Sequence, residues 1–161
     1  MGKRMKIGDV FEIETPKGMG YFQYVYRNSE TGFPLTRILP GLYSEEPENM
    51  ADLVAQKELF LIHFMVNAAL YHKLIRKIGN YEIPTGLELP PKYVRRTEWV
   101  RGKFNCWHIV DYETLYVKAV VRELDEEQKK LSPSGMWNYN LLVARLAEGW
   151  TLEKGSEAKD G

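Results

Sequence analysis

One cysteine, three histidines and no net charge remove several classes of protein before any residue is placed. The lone Cys106 excludes an internal disulfide framework and suits a reducing compartment. His63, His72 and His108 stand in no HExxH or HxH spacing, and no CxxC is present. A zinc centre is therefore not expected, and no metal or cofactor is assigned. Phosphate-binding glycine patterns are missing too: Gly18-Met19-Gly20 is not followed by the third glycine of the dinucleotide fingerprint, and there is no P-loop. The most apolar run, Leu59 to Val66, contains His63 and falls well short of the roughly 20 residues that a spanning helix needs. No basic segment followed by an apolar one opens the chain, so a cytoplasmic location without a membrane role is expected. The 22 basic residues balance 22 acidic ones, which argues against bulk electrostatic binding to nucleic acid.

What remains is a chain of 161 residues, rich in tyrosine and tryptophan. That length can bury a core of its own as a single domain. Residues 6–150 read as that domain, 1–5 as a mobile start and 151–161 as a disordered, polar and glycine-bearing tail. The organising stretch is Lys6 to Asn28. Val10, Phe11 and Ile13 are apolar among Asp9, Glu12 and Glu14, close to the alternation of a strand with one wet face. Pro16-Lys17-Gly18 supplies turn chemistry. Gly20 to Arg27 then alternates Phe22, Tyr24 and Tyr26 against Tyr21, Gln23 and Val25, which suits a second strand.

Leu35 to Leu42 reads as a third strand. Asn49 caps a helix over Met50 to Lys57, and Leu59 to Val66 reads as a central strand. Leu70, Leu74 and Ile78 recur at helical spacing; a turn near Ala68 followed by a strand from Leu74 is the alternative. Phe104 to Asp111 and Tyr112 to Leu124 read as a second hairpin. Ser132-Pro133-Ser134 announces a helix on which Tyr139, Leu142, Val143 and Leu146 form one apolar stripe. Gly149 ends it. The fold class is α+β: a strongly curved antiparallel sheet, with an open SH3-like barrel as one form of it, a short middle helix and a C-terminal amphipathic helix.

Three constellations carry chemistry. Glu45, Glu46, Glu48 and Asp52 form an acidic segment, either a solvated loop or a surface that speeds capture of a basic partner. Tyr21 with Arg95, Arg96, Trp99, Arg101 and Lys103 is a candidate aromatic and cationic face for single-stranded nucleic acid. Its bland reading is that the aromatics are core and the cations solvate an edge. Cys106 and His108 stand two apart, so on a strand they share a side, as a thiol nucleophile and its base would; a small buried thiol is the commoner reading.

The order of segments also carries a resemblance. Lys6-Ile7-Gly8-Asp9-Val10-Phe11-Glu12-Ile13, followed by Gly20-Tyr21-Phe22-Gln23-Tyr24-Val25, resembles the opening of the immunity protein 26 family of bacterial polymorphic toxin systems. Met50 to Lys57 and Leu59 to Val66 look like that family's short helix and apolar strand. Ile78-Gly79-Asn80 with Ile83-Pro84, Pro90-Pro91-Lys92-Tyr93, and Trp107 to Asp111 are similar to its later segments. The resemblance spans Lys6 to Leu146; Phe33 to Pro47 fits it poorly, and Glu14-Thr15 interrupts it. It implies a strand rather than a helix ahead of Asn80. It also implies a non-enzymatic cytoplasmic inhibitor whose partner is a cognate toxin domain, such as a nuclease. The acidic segment is the candidate toxin-binding face on charge alone.

Overall fold

The computed structural model describes residues 5–157. The chain is α+β, and its strands divide into two sheets, neither of them a closed barrel. β1 (Asp9–Thr15), β2 (Gly18–Arg27), β3 (Pro34–Ile38), β4 (Phe60–Phe64), β5 (Ile75–Asn80) and β9 (Met136–Trp137) build a six-stranded sheet in the order β5-β1-β2-β3-β4-β9. β6 (Tyr93–Val100), β7 (Lys103–Asp111) and β8 (Val117–Val121) build a three-stranded antiparallel sheet. Only the β4–β9 pairing of the large sheet is parallel. The expected α+β class with antiparallel pairing holds, and the strands are shared between these two sheets, which pack against each other through Val25, Leu35 and Leu61 on one and Val94 and Val110 on the other.

The large sheet is covered on both sides. On one face Phe11, Ile13, Phe22, Ile38, Phe60 and Ile62 are buried with α2 (Val66–Tyr71) and α3 (Tyr139–Ala147). On the other, Val10, Tyr21 and Leu39 lie under α1 (Met50–Ala55), while Val25, Leu35 and Leu61 meet Val94, Val110 and Tyr112 of the small sheet. That second face also buries two polar side chains, Gln23 and Arg37. Arg37 donates to Glu58 Oε1 (3.1 Å), Gln23 Oε1 (2.7 Å) and the carbonyls of Val54 and Gln56. It thereby satisfies carbonyls that the end of α1 leaves without helical partners. Gln23 passes the network on to the carbonyls of Gly8 and Tyr81.

The Gly8-Asp9 and Ile78-Gly79-Asn80 segments meet here. Asp9 pairs with Asn80 across β1 and β5, and Asn80 Nδ2 donates to Asp9 Oδ1 at 3.0 Å. Gly8 has a φ of +97°, and a Cβ there would stand 2.7 Å from the Tyr81 carbonyl oxygen. Both motifs are structural: they fasten the edge strand β5 to the first hairpin.

Several element boundaries move. Ile75–Asn80 is a strand, but the segment ahead of it is the helical turn α2. Burial decides this, because Val66 and Ala69 fill the core as a helix and Ile75 as a strand. Consequently the strand expected to reach Val66 stops at Phe64. Ser132-Pro133-Ser134 does not start a helix. Ser132 Oγ accepts from Leu61 N, and Arg95 exchanges backbone bonds with Ser132 and Ser134, so this stretch stitches the two sheets together. Asn138 caps α3 instead. The tail expected from Thr151 onward begins with a helical turn, α4 (Leu152–Gly155). Just before it, Trp150 sits 4.9 Å from Phe60 and 5.1 Å from Trp137, ring centre to ring centre. Packing of that half-buried indole against the core anchors the segment. Residues 1–4 and 158–161, which include most of the expected mobile start and the end of the tail, lie outside the described residues; Met5 packs against the core.

Candidate functional site

The acidic segment is displayed on a firm base. Tyr43 exchanges two backbone bonds with Met19 (2.7 and 2.9 Å), tying the entry of the segment to β2. Asn49 Oδ1 accepts from Asp52 N and caps α1. Met50, Leu53 and Val54 root the helix in the core, and Arg37 grips its far end. Glu45, Glu46, Glu48 and Asp52 are all exposed. Of these, Glu46 is engaged by Arg76 at 2.9 Å, and Arg76 also spans Glu12. Asp52 stands in the first turn of α1, where the exposed N–H groups favour a carboxylate. Folding thus keeps the acidic set together.

The aromatic and cationic set is taken apart. Tyr21 is buried under α1 and donates to Glu12 Oε2 at 2.6 Å, with its phenol pushed well above the usual range by burial first and the neighbouring carboxylate second. Arg95 is buried as well. It donates to the carbonyls of Lys129 (3.0 Å) and Leu152 (2.6 Å) and lies over the Trp107 ring; desolvation brings its guanidinium down to about 10. Neither side chain faces solvent. Arg96, Trp99, Arg101 and Lys103 do remain exposed, at and around the turn of the β6–β7 hairpin. There Arg101 (φ 52°) and Gly102 (φ 79°) adopt the left-handed pair that suits a two-residue turn.

Cys106 and His108 share a side of β7, as their spacing requires, but the thiol does not bond to the imidazole. Cys106 Sγ donates to Glu98 Oε2 at 3.1 Å across the hairpin. That hydrogen bond, with burial second, raises the thiol's pKa. A nucleophilic cysteine needs the opposite shift.

A cleft between the sheets has no local signature in the sequence. It encloses about 520 Å³ beside Phe33, Leu61, Val94 and Pro133, with His63 and Tyr112 in its wall. His63 Nδ1 donates to the Pro34 carbonyl and Nε2 accepts from Tyr112 Oη, each at 2.9 Å. Burial holds His63 below the ordinary histidine range and pushes Tyr112 up to about 12. Both ring nitrogens of His63 are thus satisfied, which fits the near-core reading of that histidine. The partners lie 49 residues apart in sequence, and no local signal links them. A wider depression of about 1030 Å³ opens beside Glu58, Leu87 and Lys129.

Among the described residues no helix is long and apolar enough to cross a membrane. No protein-family model, curated protein or solved structure matches this chain.

Proposed function

We propose that this protein is an immunity protein: a non-enzymatic inhibitor that binds and neutralises a cognate secreted polymorphic toxin domain, such as a nuclease, in the cytoplasm of the producing bacterium. The resemblance of the ordered segments suggests the class. The observation that carries it is the acidic segment. Glu45, Glu46, Glu48 and Asp52 are exposed on a backbone held by the Tyr43–Met19 bridge, the Asn49 cap and the buried side of α1. A surface ordered before binding loses little entropy on association. Carboxylates displayed this way can occupy the phosphate-binding positions of a basic nuclease and steer its capture. Discrimination between toxins then comes from which charges meet or repel.

Co-expression with the candidate toxin domain encoded beside the gene tests the reading. Survival of the host and co-purification of a complex are expected. Reversing Glu45, Glu48 and Asp52 to lysine is expected to slow association by about tenfold or more at low salt, with a smaller effect at high salt. If no neighbouring toxin is neutralised or bound, the reading is wrong for this chain.

Nucleic-acid binding through the β6–β7 hairpin is the second reading, because Arg96, Trp99, Arg101 and Lys103 stay exposed together. The burial of Tyr21 and Arg95 and the balanced charge place it behind the first. Salt-dependent retention of single-stranded RNA or DNA, lost in an Arg101→Ala/Lys103→Ala variant, would reverse that order.

A further inference from the structure

The β6–β7 hairpin holds three ligating groups that lie apart from the acidic segment. Strand register sets Glu98 opposite Cys106 and Arg96 opposite His108, and directly opposed side chains share one face of a sheet. Glu98 Oε2 lies 3.1 Å from Cys106 Sγ and 3.7 Å from His108 Nε2. One ligand atom from each of the three falls within 4.8 Å of the others. A tetrahedral zinc ion, with bonds of about 2.3 Å to sulfur and about 2.0 Å to nitrogen or oxygen, spaces its ligands roughly 3.3–3.6 Å apart. The cluster therefore needs only small side-chain shifts to close on an ion.

We propose that Glu98, Cys106 and His108 form a three-ligand site for a borderline-soft divalent cation of the Zn²⁺ type, with water in the fourth position. The ligand set points to this class. Thiolate and imidazole select zinc-like ions over magnesium or calcium, which take oxygen ligands. On binding, the Cys106 proton leaves to solvent and a metal–thiolate bond replaces the thiol–carboxylate hydrogen bond. The thiolate and the Glu98 carboxylate together neutralise the ion's two charges.

One supporting contact is already in place, and a second contact must rearrange. Asn105 Nδ2 donates to Glu98 Oε2 at 2.7 Å and orients the carboxylate. Cys106 is buried, whereas the Glu98 and His108 side chains are 40% and 17% exposed, so the fourth position faces water. Arg96 donates to His108 Nδ1 at 3.1 Å. Coordination through Nε2 moves the ring proton to Nδ1, so the exposed Arg96 side chain must give way to a water acceptor. Outer contacts of this kind orient metal ligands and tune their affinity.

The test is titration of the reduced, metal-free full chain with Co²⁺, followed by visible and near-ultraviolet absorption. One Co²⁺ per chain is expected, with tetrahedral ligand-field bands and a thiolate-to-cobalt charge-transfer band, all removed by one equivalent of Zn²⁺. Cys106→Ser abolishes the charge-transfer band. His108→Ala and Glu98→Gln alter partly exposed side chains; both retain the native circular dichroism and lose about tenfold or more in affinity. Absence of the bands in the native chain overturns the proposal. So does a band of undiminished affinity in both His108→Ala and Glu98→Gln, which would mean adventitious binding to the thiol alone.

Discussion

Replacing Arg37 by methionine should cost this protein a large part of its stability. The guanidinium is fully buried at the middle of the large sheet, with Glu58 at 3.1 Å and a side-chain exposure of only 14% on that carboxylate. Methionine fills much of the volume but donates nothing. The substitution strands the Glu58 charge, the Gln23 carbonyl and the carbonyls of Val54 and Gln56. Breaking a buried ion pair on one side costs about 3–5 kcal/mol. Each orphaned acceptor costs about 1–3 kcal/mol where water cannot replace the donor. Relaxation at the end of α1 offsets part of this, so we expect a loss of about 4 kcal/mol. At a urea slope of about 2 kcal/mol per molar, the midpoint falls by about 2 M. In Arg37→Met/Glu58→Met the uncompensated charge is gone, and about 2 kcal/mol should return. Urea unfolding of the four proteins of this cycle, followed by far-ultraviolet circular dichroism, measures both quantities. A midpoint within about 0.5 M of the parent for Arg37→Met, at unchanged slope, would refute the view that this network holds α1 and the acidic segment in place.

Gly8→Ala should cost about 2 kcal/mol or more, because its left-handed φ places a Cβ against the Tyr81 carbonyl. Gly32→Ala, at φ +73° with nothing within 4 Å, should cost only about 1 kcal/mol, so the difference in urea midpoint isolates the clash. Trp150→Ala should cost about 3 kcal/mol in thermal or urea unfolding, since it removes the indole that packs on both Phe60 and Trp137. His63 supplies a pH dependence. Burial keeps its folded-state pKa below the unfolded value of about 6.5. The unfolded chain therefore takes up the proton first, and the stability contributed by neutral His63 is present above that pH and lost as pH falls through the window below it. His63→Gln should flatten the fall in urea midpoint between about pH 7 and pH 5; an unchanged profile would remove His63 as its source.

The sequence alone determined what local chemistry controls. The first hairpin, the Asn49 cap and the C-terminal helix stripe depend on alternation, turn residues and capping within a few positions, and each appears where those signals lie. The exposure of Glu45, Glu46, Glu48 and Asp52 follows the same logic, because a run of like-charged carboxylates is too costly to bury. Tertiary structure decided the rest. Leu70 to Ile78 carries a helical period, yet Ile75–Asn80 is a strand, because β1 offers it an edge and Asp9 a partner. Arg95 looked like a surface cation, but two carbonyls from residues 34 and 57 positions away remove it from solvent. Trp150 holds down what composition marked as tail. Cys106 and His108 were visible as a pair; Glu98 joins them only because hairpin register brings it across. The division follows range: signals within one turn or one strand are written locally, whereas burial and cross-strand partnership depend on which distant backbone arrives.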